Sequence, residues 1–257
     1  MDFKRVIIKV EDIYKSFGKH QVLKGVSFEI MEGETFTVMG RSGVGKSVLL
    51  KILVGLLHPD RGKIYFYDED ITHASEDRWK EIRKNLAVVF QQSALFDSMT
   101  VEENVAFGLR RMYRLREDEI RERVNRCLAL VGLPGINNKM PSELSGGMKK
   151  RVALARAIAL EPKIIFYDEP TTGLDPVMAD VISNLIIKMQ QELRVTSFII
   201  THELKLAYKV SDRIAMLYDG KIIEMGTPEQ IRSSSNPVVK QFIEGRAEGP
   251  MKIVEEV

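Results

Sequence analysis

Short apolar runs rich in β-branched and aromatic residues recur along the chain: VIIKV, VSFEI, TFTVMG, KIYFY, LAVVF, KIIFYD, TSFIIT and RIAMLY. Segments of helical period lie between several of them. That alternation predicts an α/β fold with a largely parallel sheet. Asp219-Gly220, between RIAMLY and KIIEM, is a two-residue hairpin signal, so an antiparallel pair is expected as well. From about Thr100 to Leu160 the pattern changes. TVEENVAFGLRRMY, EDEIRERVNRCLALVG and GGMKKRVALARAIAL each space their apolar residues as helices do, which predicts a helical block set inside the βα chain. The last stretch, EGRAEGPMKIVEEV, loses helical periodicity and reads as an extended tail. There is no internal repeat, low-complexity tract or Gly/Ser linker.

Composition narrows the picture without deciding it. With 257 residues, 44% apolar and 29% charged, the chain suits one sizeable α/β domain or a core with a helical subdomain. The 38 basic and 36 acidic residues leave a formal net charge of +2, which gives no global drive towards nucleic acid. The single cysteine, Cys127, lies in an amphipathic helical pattern and reads as packing. One cysteine cannot form an internal disulfide, so nothing requires an oxidising compartment. MDFKRVIIKVED holds too short an apolar run for a signal peptide, and no segment approaches the roughly 20 apolar residues that span a bilayer. A soluble, cytoplasmic protein is expected, touching a membrane only through a partner or a surface.

Candidate chemistry begins where strand-like TFTVM runs into Gly40-Arg41-Ser42-Gly43-Val44-Gly45-Lys46-Ser47 and then into helical VLLKILVGLL. Two glycines around four residues, then Lys and Ser, form the P-loop pattern in its strand–loop–helix context. Glycines let backbone amides approach phosphates, and the helix start adds its dipole and free amides. Lys46 would sit at the β/γ phosphates and Ser47 would offer its hydroxyl to Mg²⁺. The bland alternative, a Gly-rich turn that merely opens a helix, does not account for the Lys-Ser pair.

A second constellation closes the apolar strand Lys163-Ile164-Ile165-Phe166-Tyr167-Asp168-Glu169. Asp168 would emerge at the carboxyl edge of a parallel sheet and hold Mg²⁺, directly or through water. Glu169, one residue on, across the pleat and beyond the strand end, is placed to orient or deprotonate the water that attacks the γ-phosphate. Taken alone, Asp-Glu after a strand is as often a solvated loop start; the P-loop turns it into a candidate site.

Leu144-Ser145-Gly146-Gly147-Met148 precedes Glu169 by about two dozen residues and resembles the signature motif of the ABC (ATP-binding cassette) family. Physically it is a second anion-binding helix start, with Ser145 as the cap and two glycines exposing amides. The resemblance covers nearly the whole chain. It implies that Phe17 stacks on adenine, that Gln91 approaches metal and water, that Asp175 sits at a dimer seam, and that His202 contacts the γ-phosphate. It also implies a P-loop NTPase (RecA-like) core with a mixed, mainly parallel sheet, an antiparallel β subdomain and an inserted helical subdomain. On this reading residues 1–245 are the ATPase domain, with the helical subdomain at about 92–160, and 246–257 are a C-terminal tail. ATP and Mg²⁺ are the expected cofactors, and Lys46, Glu169 and His202 the catalytic residues. Ser47, Gln91 and Asp168 are the metal ligands. The signature of one copy would complete the P-loop site of another, so ATP binding would bring two copies together.

Finer marks are similar to the ATPases of Mce/Mla-type lipid transport systems: Ser93-Ala94-Leu95-Phe96-Asp97-Ser98-Met99-Thr100-Val101, Met148, and Gln241-Phe242-Ile243-Glu244-Gly245 with Glu248-Gly249-Pro250. That likeness implies integral membrane permease subunits as partners, a Mce-type substrate-binding protein, room for a small regulatory subunit, and no nucleic acid. It places the chain on the cytoplasmic face of the inner membrane, peripheral through the permease, moving phospholipid between inner and outer membranes. A transporter ATPase for amino acids or ions is the alternative within the family. A soluble ABC ATPase of translation or DNA maintenance is the alternative outside transport. It is disfavoured by the single P-loop, the single signature and the lack of extended heptads between them. Leu95, Phe96 and Met99 either dock a permease or pack inside the helical block. Met251, Ile253 and Val254 belong either to a disordered end or to a contact with a neighbouring subunit.

Overall fold

A computed structural model describes residues 5–251. Up to His73 the elements are β1 (Val6–Phe17), β2 (His20–Met31), β3 (Thr35–Met39), α1 (Lys46–Leu53), β4 (Arg61–Phe66) and β5 (Glu69–Asp70). There follow α2 (Glu76–Arg83), β6 (Leu86–Val89), α3 (Val101–Met112), α4 (Glu117–Leu130), α5 (Gly146–Ile158), β7 (Ile164–Asp168), α6 (Pro176–Leu193) and β8 (Thr196–Thr201). The last stretch holds α7 (Leu204–Val210), β9 (Arg213–Tyr218), β10 (Lys221–Gly226), α8 (Pro228–Arg232) and α9 (Pro237–Glu244). Two compact units divide the chain, Met1–His73 with Ile200–Val257, and Ala74–Ile199.

In the first unit an antiparallel sheet runs in the order β2-β1-β4-β5. Here β1 continues well past the VIIKV run, to Phe17, and turns directly into β2, with Phe17 opposite His20. That extension escapes the apolar pattern because YKSF and HQVL carry few buried positions. In the same unit β3, buried at every position, lies parallel to β9, and β10 pairs antiparallel with β9. Asp219 and Gly220 both hold positive φ, 45° and 72°, as the tight hairpin turn of this class requires.

The second unit pairs β6 with β7 in parallel and packs α3 against α4 and α5. Its helix starts are set locally. Thr100 accepts from the Glu103 amide while the Glu103 carboxylate accepts from the Thr100 amide, a complete capping box at the start of α3. Asp175 caps α6, with Pro176 in the first turn. Cys127 on α4 is buried, and burial pushes its thiol up to about 11, so it stays protonated and inert at neutral pH.

The C-terminal tail departs from the expectation of a loose end as far as it is described. Met251 is 5% exposed and belongs to the apolar cluster of Met39, Ile214, Met216, Ile231 and Val239 in the first unit. The Met251 amide donates to Gln241 Oε1 (2.6 Å), and Gln241 Nε2 donates to the carbonyls of Arg246 and Ala247 (3.3 and 3.4 Å). No helical period is needed: one buried methionine and one glutamine hold the segment. Ile253 and Val254 lie outside the described residues.

Candidate active site

The phosphate loop is built from the end of β3 and the start of α1. Gly45 is the cap of α1 with φ 105°, and a Cβ there would lie 2.9 Å from Val22 Cγ1 and 3.0 Å from Leu23 Cδ2. Gly40 meets a different limit, since a Cβ would lie 2.4 Å from the Leu217 carbonyl oxygen of β9. Backbone conformation at one glycine and close approach at the other therefore exclude any side chain. Lys46, 6% exposed, turns back under the loop, and its Nζ donates to the carbonyls of Gly40 (2.7 Å) and Arg41 (3.0 Å). Ser47 follows, exposed, in the first turn of α1.

The Gly40 amide donates to the Thr201 carbonyl (3.3 Å), which sets the end of β8, and with it His202, beside the loop. A cavity of about 1050 Å³ opens there, lined by Arg41, Ser42, Gly43, Val44 and His202, with His20, Gln21 and Val22 from the start of β2 and Tyr218 and Phe242 beyond. Its volume suits a nucleotide-sized ligand. Phe17, at the β1–β2 turn beside His20, leaves 49% of its surface exposed, unusual for a phenylalanine and available for stacking. Thus the first unit brings together the P-loop and His202 in one cavity, with Phe17 at the neighbouring turn.

The second unit carries the remaining predicted residues. Asp168 is the last residue of β7. Glu169 lies just past the end of β7, and its φ is 46°, so the chain turns into the left-handed region and buries the residue to 8% exposure. Thr172 Oγ1 donates to Glu169 Oε2 and the Thr172 amide to the Glu169 carbonyl, both at 3.3 Å. Gln91 is exposed just past β6. Ser145 caps α5 by accepting from the Met148 amide (3.3 Å), Gly146 has open space around it, and Gly147 is buried against the Met178 side chain. Asp175 is occupied as a cap, accepting from the amides of Val177 (2.9 Å) and Met178 (3.0 Å).

Ser47 in the first unit carries a hydroxyl, and Gln91 and Asp168 in the second carry an amide oxygen and a carboxylate, hard oxygen donors of the kind Mg²⁺ takes. Among the described residues no cluster of three or more His, Cys, Asp or Glu could hold a metal by itself. By its chemistry each of the three residues is a fit donor for Mg²⁺.

Residues 23–172 match the protein family described as ABC transporter. The chain belongs to that family. The ABC cassette is also 44% identical over 251 residues to the probable ribonucleotide transport ATP-binding protein mkl of Mycobacterium tuberculosis, covering 98% of this chain and 70% of the relative. With the intermembrane phospholipid transport system ATP-binding protein MlaF of Haemophilus influenzae it shares 39% identity over 246 residues, covering 96% and 93% of the two chains. A solved dimeric ATP-binding cassette in a post-hydrolysis state, bound to ADP and Pi, superposes with a TM-score of 0.79 at 34% identity, over 86% of this chain and 98% of that one. The protein is accordingly an ATPase subunit of an ABC transporter, and among the described residues no helix is long and apolar enough to cross a membrane.

Several residues that shape this cassette are not legible as motifs. Lys150 Nζ donates to the carbonyls of Pro170 (2.9 Å) and Thr172 (2.8 Å) in the loop after Glu169. Arg156 donates to the carbonyls of Ala94 (2.7 Å) and Ser93 (2.8 Å), two residues held at positive φ. Asn104, fully buried, accepts from the Phe96 amide and donates to the carbonyls of Phe96, Met99 and Thr100. The segment it pins leaves Phe96 41% exposed, its ring 4.6 Å from that of Phe107. In sequence each of these polar side chains looks like an ordinary position on a helix.

Proposed function

We propose that this cassette drives the movement of a phospholipid or similar lipid between the inner and outer membranes. It would do so as a nucleotide-sandwiched dimer on the cytoplasmic face of the inner membrane, peripheral through permease subunits. The observation that carries the ATPase part is the Lys46 ammonium, bonded to the Gly40 and Arg41 carbonyls of the loop whose residues Arg41 to Val44 line a nucleotide-sized cavity with His202. The lipid part is supported by the match to MlaF and by the residues around Ser93–Val101 and Gln241–Pro250. The name of the mycobacterial relative supports a second reading, a ribonucleotide as cargo. A Mce-type substrate-binding protein and a small regulatory subunit complete the proposed complex.

In the proposed mechanism Phe17 stacks on adenine, while the amides of Gly43, Gly45 and Lys46 and the Lys46 ammonium hold the β- and γ-phosphates. Ser47, Gln91 and Asp168 would hold Mg²⁺, which would offset charge on the phosphate oxygens. Glu169 takes the proton of the attacking water and His202 donates to a γ-phosphate oxygen. Ser145 and the amides of Gly146 and Gly147 of a second copy donate to the same γ-phosphate, and Asp175 lies at the seam. Departure of phosphate removes the group both copies grip, and they separate.

Isolation of the native complex with its permease, followed by mass spectrometry of its proteins and of its extracted small molecules, tests the assignment. Co-purified phospholipid and a lipid-stimulated ATPase rate are expected. Co-purified nucleotide cargo, with a rate indifferent to lipid, would replace the lipid reading by the second one. A cassette without any permease would remove both.

A further inference from the structure

Helix α5 begins at the Ser145 cap and, five residues on, presents Lys150. The lysine is 8% exposed, on the same helix face that meets the loop following β7. Its ammonium donates to the Pro170 carbonyl at 2.9 Å and to the Thr172 carbonyl at 2.8 Å. Those two carbonyls flank Thr171 and lie one and three residues past Glu169. Glu169 itself occupies the left-handed region, φ 46°, where a side-chain-bearing residue persists only if its surroundings impose that conformation. The same short turn closes on itself through the Thr172 amide and the Glu169 carbonyl, and through the Thr172 hydroxyl and the Glu169 carboxylate.

A buried ammonium must keep its acceptors, because losing one leaves a desolvated charge with an unmade hydrogen bond. Helix α5 and the Glu169 turn therefore move as one body. Five helical residues amount to about 7.5 Å of rise, little more than one turn, so the cap at Ser145 and the clamp at Lys150 share a rigid segment.

We propose that Lys150 is the positioning residue of the Glu169 carboxylate, tying its orientation to the docking of the Ser145 helix start. The inference rests on the roles proposed above for Glu169 and Ser145. Its consequence is communication between sites. When the signature end of α5 engages the nucleotide held by a second copy, the same helix fixes the carboxylate that serves its own copy's nucleotide. A dimer closed on one side only then leaves the other carboxylate unset, and hydrolysis waits for complete closure. Lys150 acts through the turn, by way of the Pro170 and Thr172 carbonyls.

The experiment uses the full chain in complex with its permease and compares Lys150→Met, Lys150→Arg and Glu169→Gln, singly and in combination. Lys150→Met is expected to lower kcat about ten-fold with the KM for ATP within about two-fold, since displacing a positioned base affects chemistry more than binding. Lys150→Arg, which keeps a buried donor, should recover at least about a third of the rate. In the Glu169→Gln background Lys150→Met should change the residual rate by less than about two-fold, because the group it positions is already gone. A Lys150→Met rate within about two-fold of wild type overturns the proposal, and so does a full ten-fold loss repeated in the Glu169→Gln background. Loss of ATP binding in both Lys150→Met and Lys150→Arg would make the lysine purely structural and also overturn it. Wild-type turnover by Glu169→Gln alone is a separate result, which would remove Glu169 from its role.

Discussion

In the phosphate loop the left-handed conformations fall on Gly43 (φ 80°) and Gly45 (φ 105°), whereas in the loop after β7 the left-handed residue is Glu169 (φ 46°). Glycine adopts such backbone without a steric penalty, so the phosphate loop holds its shape mainly by its own composition. Glutamate does not, and its turn is held from outside by two hydrogen bonds from Lys150 and from within by Thr172. The first arrangement is permanent and local. The second depends on α5, so the placing of that helix sets the orientation of the Glu169 turn. Local strain at a functional residue, over-determined by its surroundings, is the usual form of such control.

Side-chain chemistry at the two loops gives the largest expected effects. Glu169→Gln should bind ATP and hydrolyse it at least ~100-fold more slowly, as loss of a positioned base predicts. Lys46→Met should slow phosphate release by a similar ~100-fold or more while also weakening ATP binding, because its charge serves ground state and transition state alike. Steady-state phosphate release and nucleotide titration separate the two; unchanged ATP affinity in Lys46→Met would break the contrast between a binding loop and a chemical one.

Smaller effects sharpen the backbone contrast. Gly45→Ala should destabilise the chain by about 1–3 kcal/mol in urea denaturation, from strained φ together with contacts of 2.9 and 3.0 Å to Val22 and Leu23. At position 169, glycine should be more stable than alanine by about 1 kcal/mol, although both variants are inactive. Equal stability of Glu169→Gly and Glu169→Ala would mean that the turn is unstrained and needs no clamp. The tail offers the mildest comparison, since Gln241 holds residues 246, 247 and 251 much as Lys150 holds 170 and 172. Gln241→Ala should lower stability by about 1 kcal/mol with kcat unchanged, because no chemistry depends on that segment.

Much of the candidate site is legible in the order of residues along the chain. Gly40 to Ser47 announces a phosphate loop because the requirement is met by consecutive residues: glycine where amides must point inward, lysine and serine where the helix begins. The Asp219-Gly220 turn and the Thr100 helix start are readable for the same reason. Other features leave no such local mark. The strand Val6–Phe17 outruns its apolar run because its far end pairs without burying much, and pairing leaves no trace in hydropathy. Glu169 reads as the first residue past β7, but nothing adjacent in sequence signals its positive φ.

Lys150, Arg156 and Asn104 mark the boundary between the two kinds of knowledge. Their identities as polar helix residues come from the chain alone, and so do the family and the phosphate chemistry, since each depends on neighbours in sequence. Which carbonyl each one holds was decided only by the tertiary structure. A single buried donor meets a backbone acceptor that any residue type provides, so the acceptor's side chain carries no record of the bond.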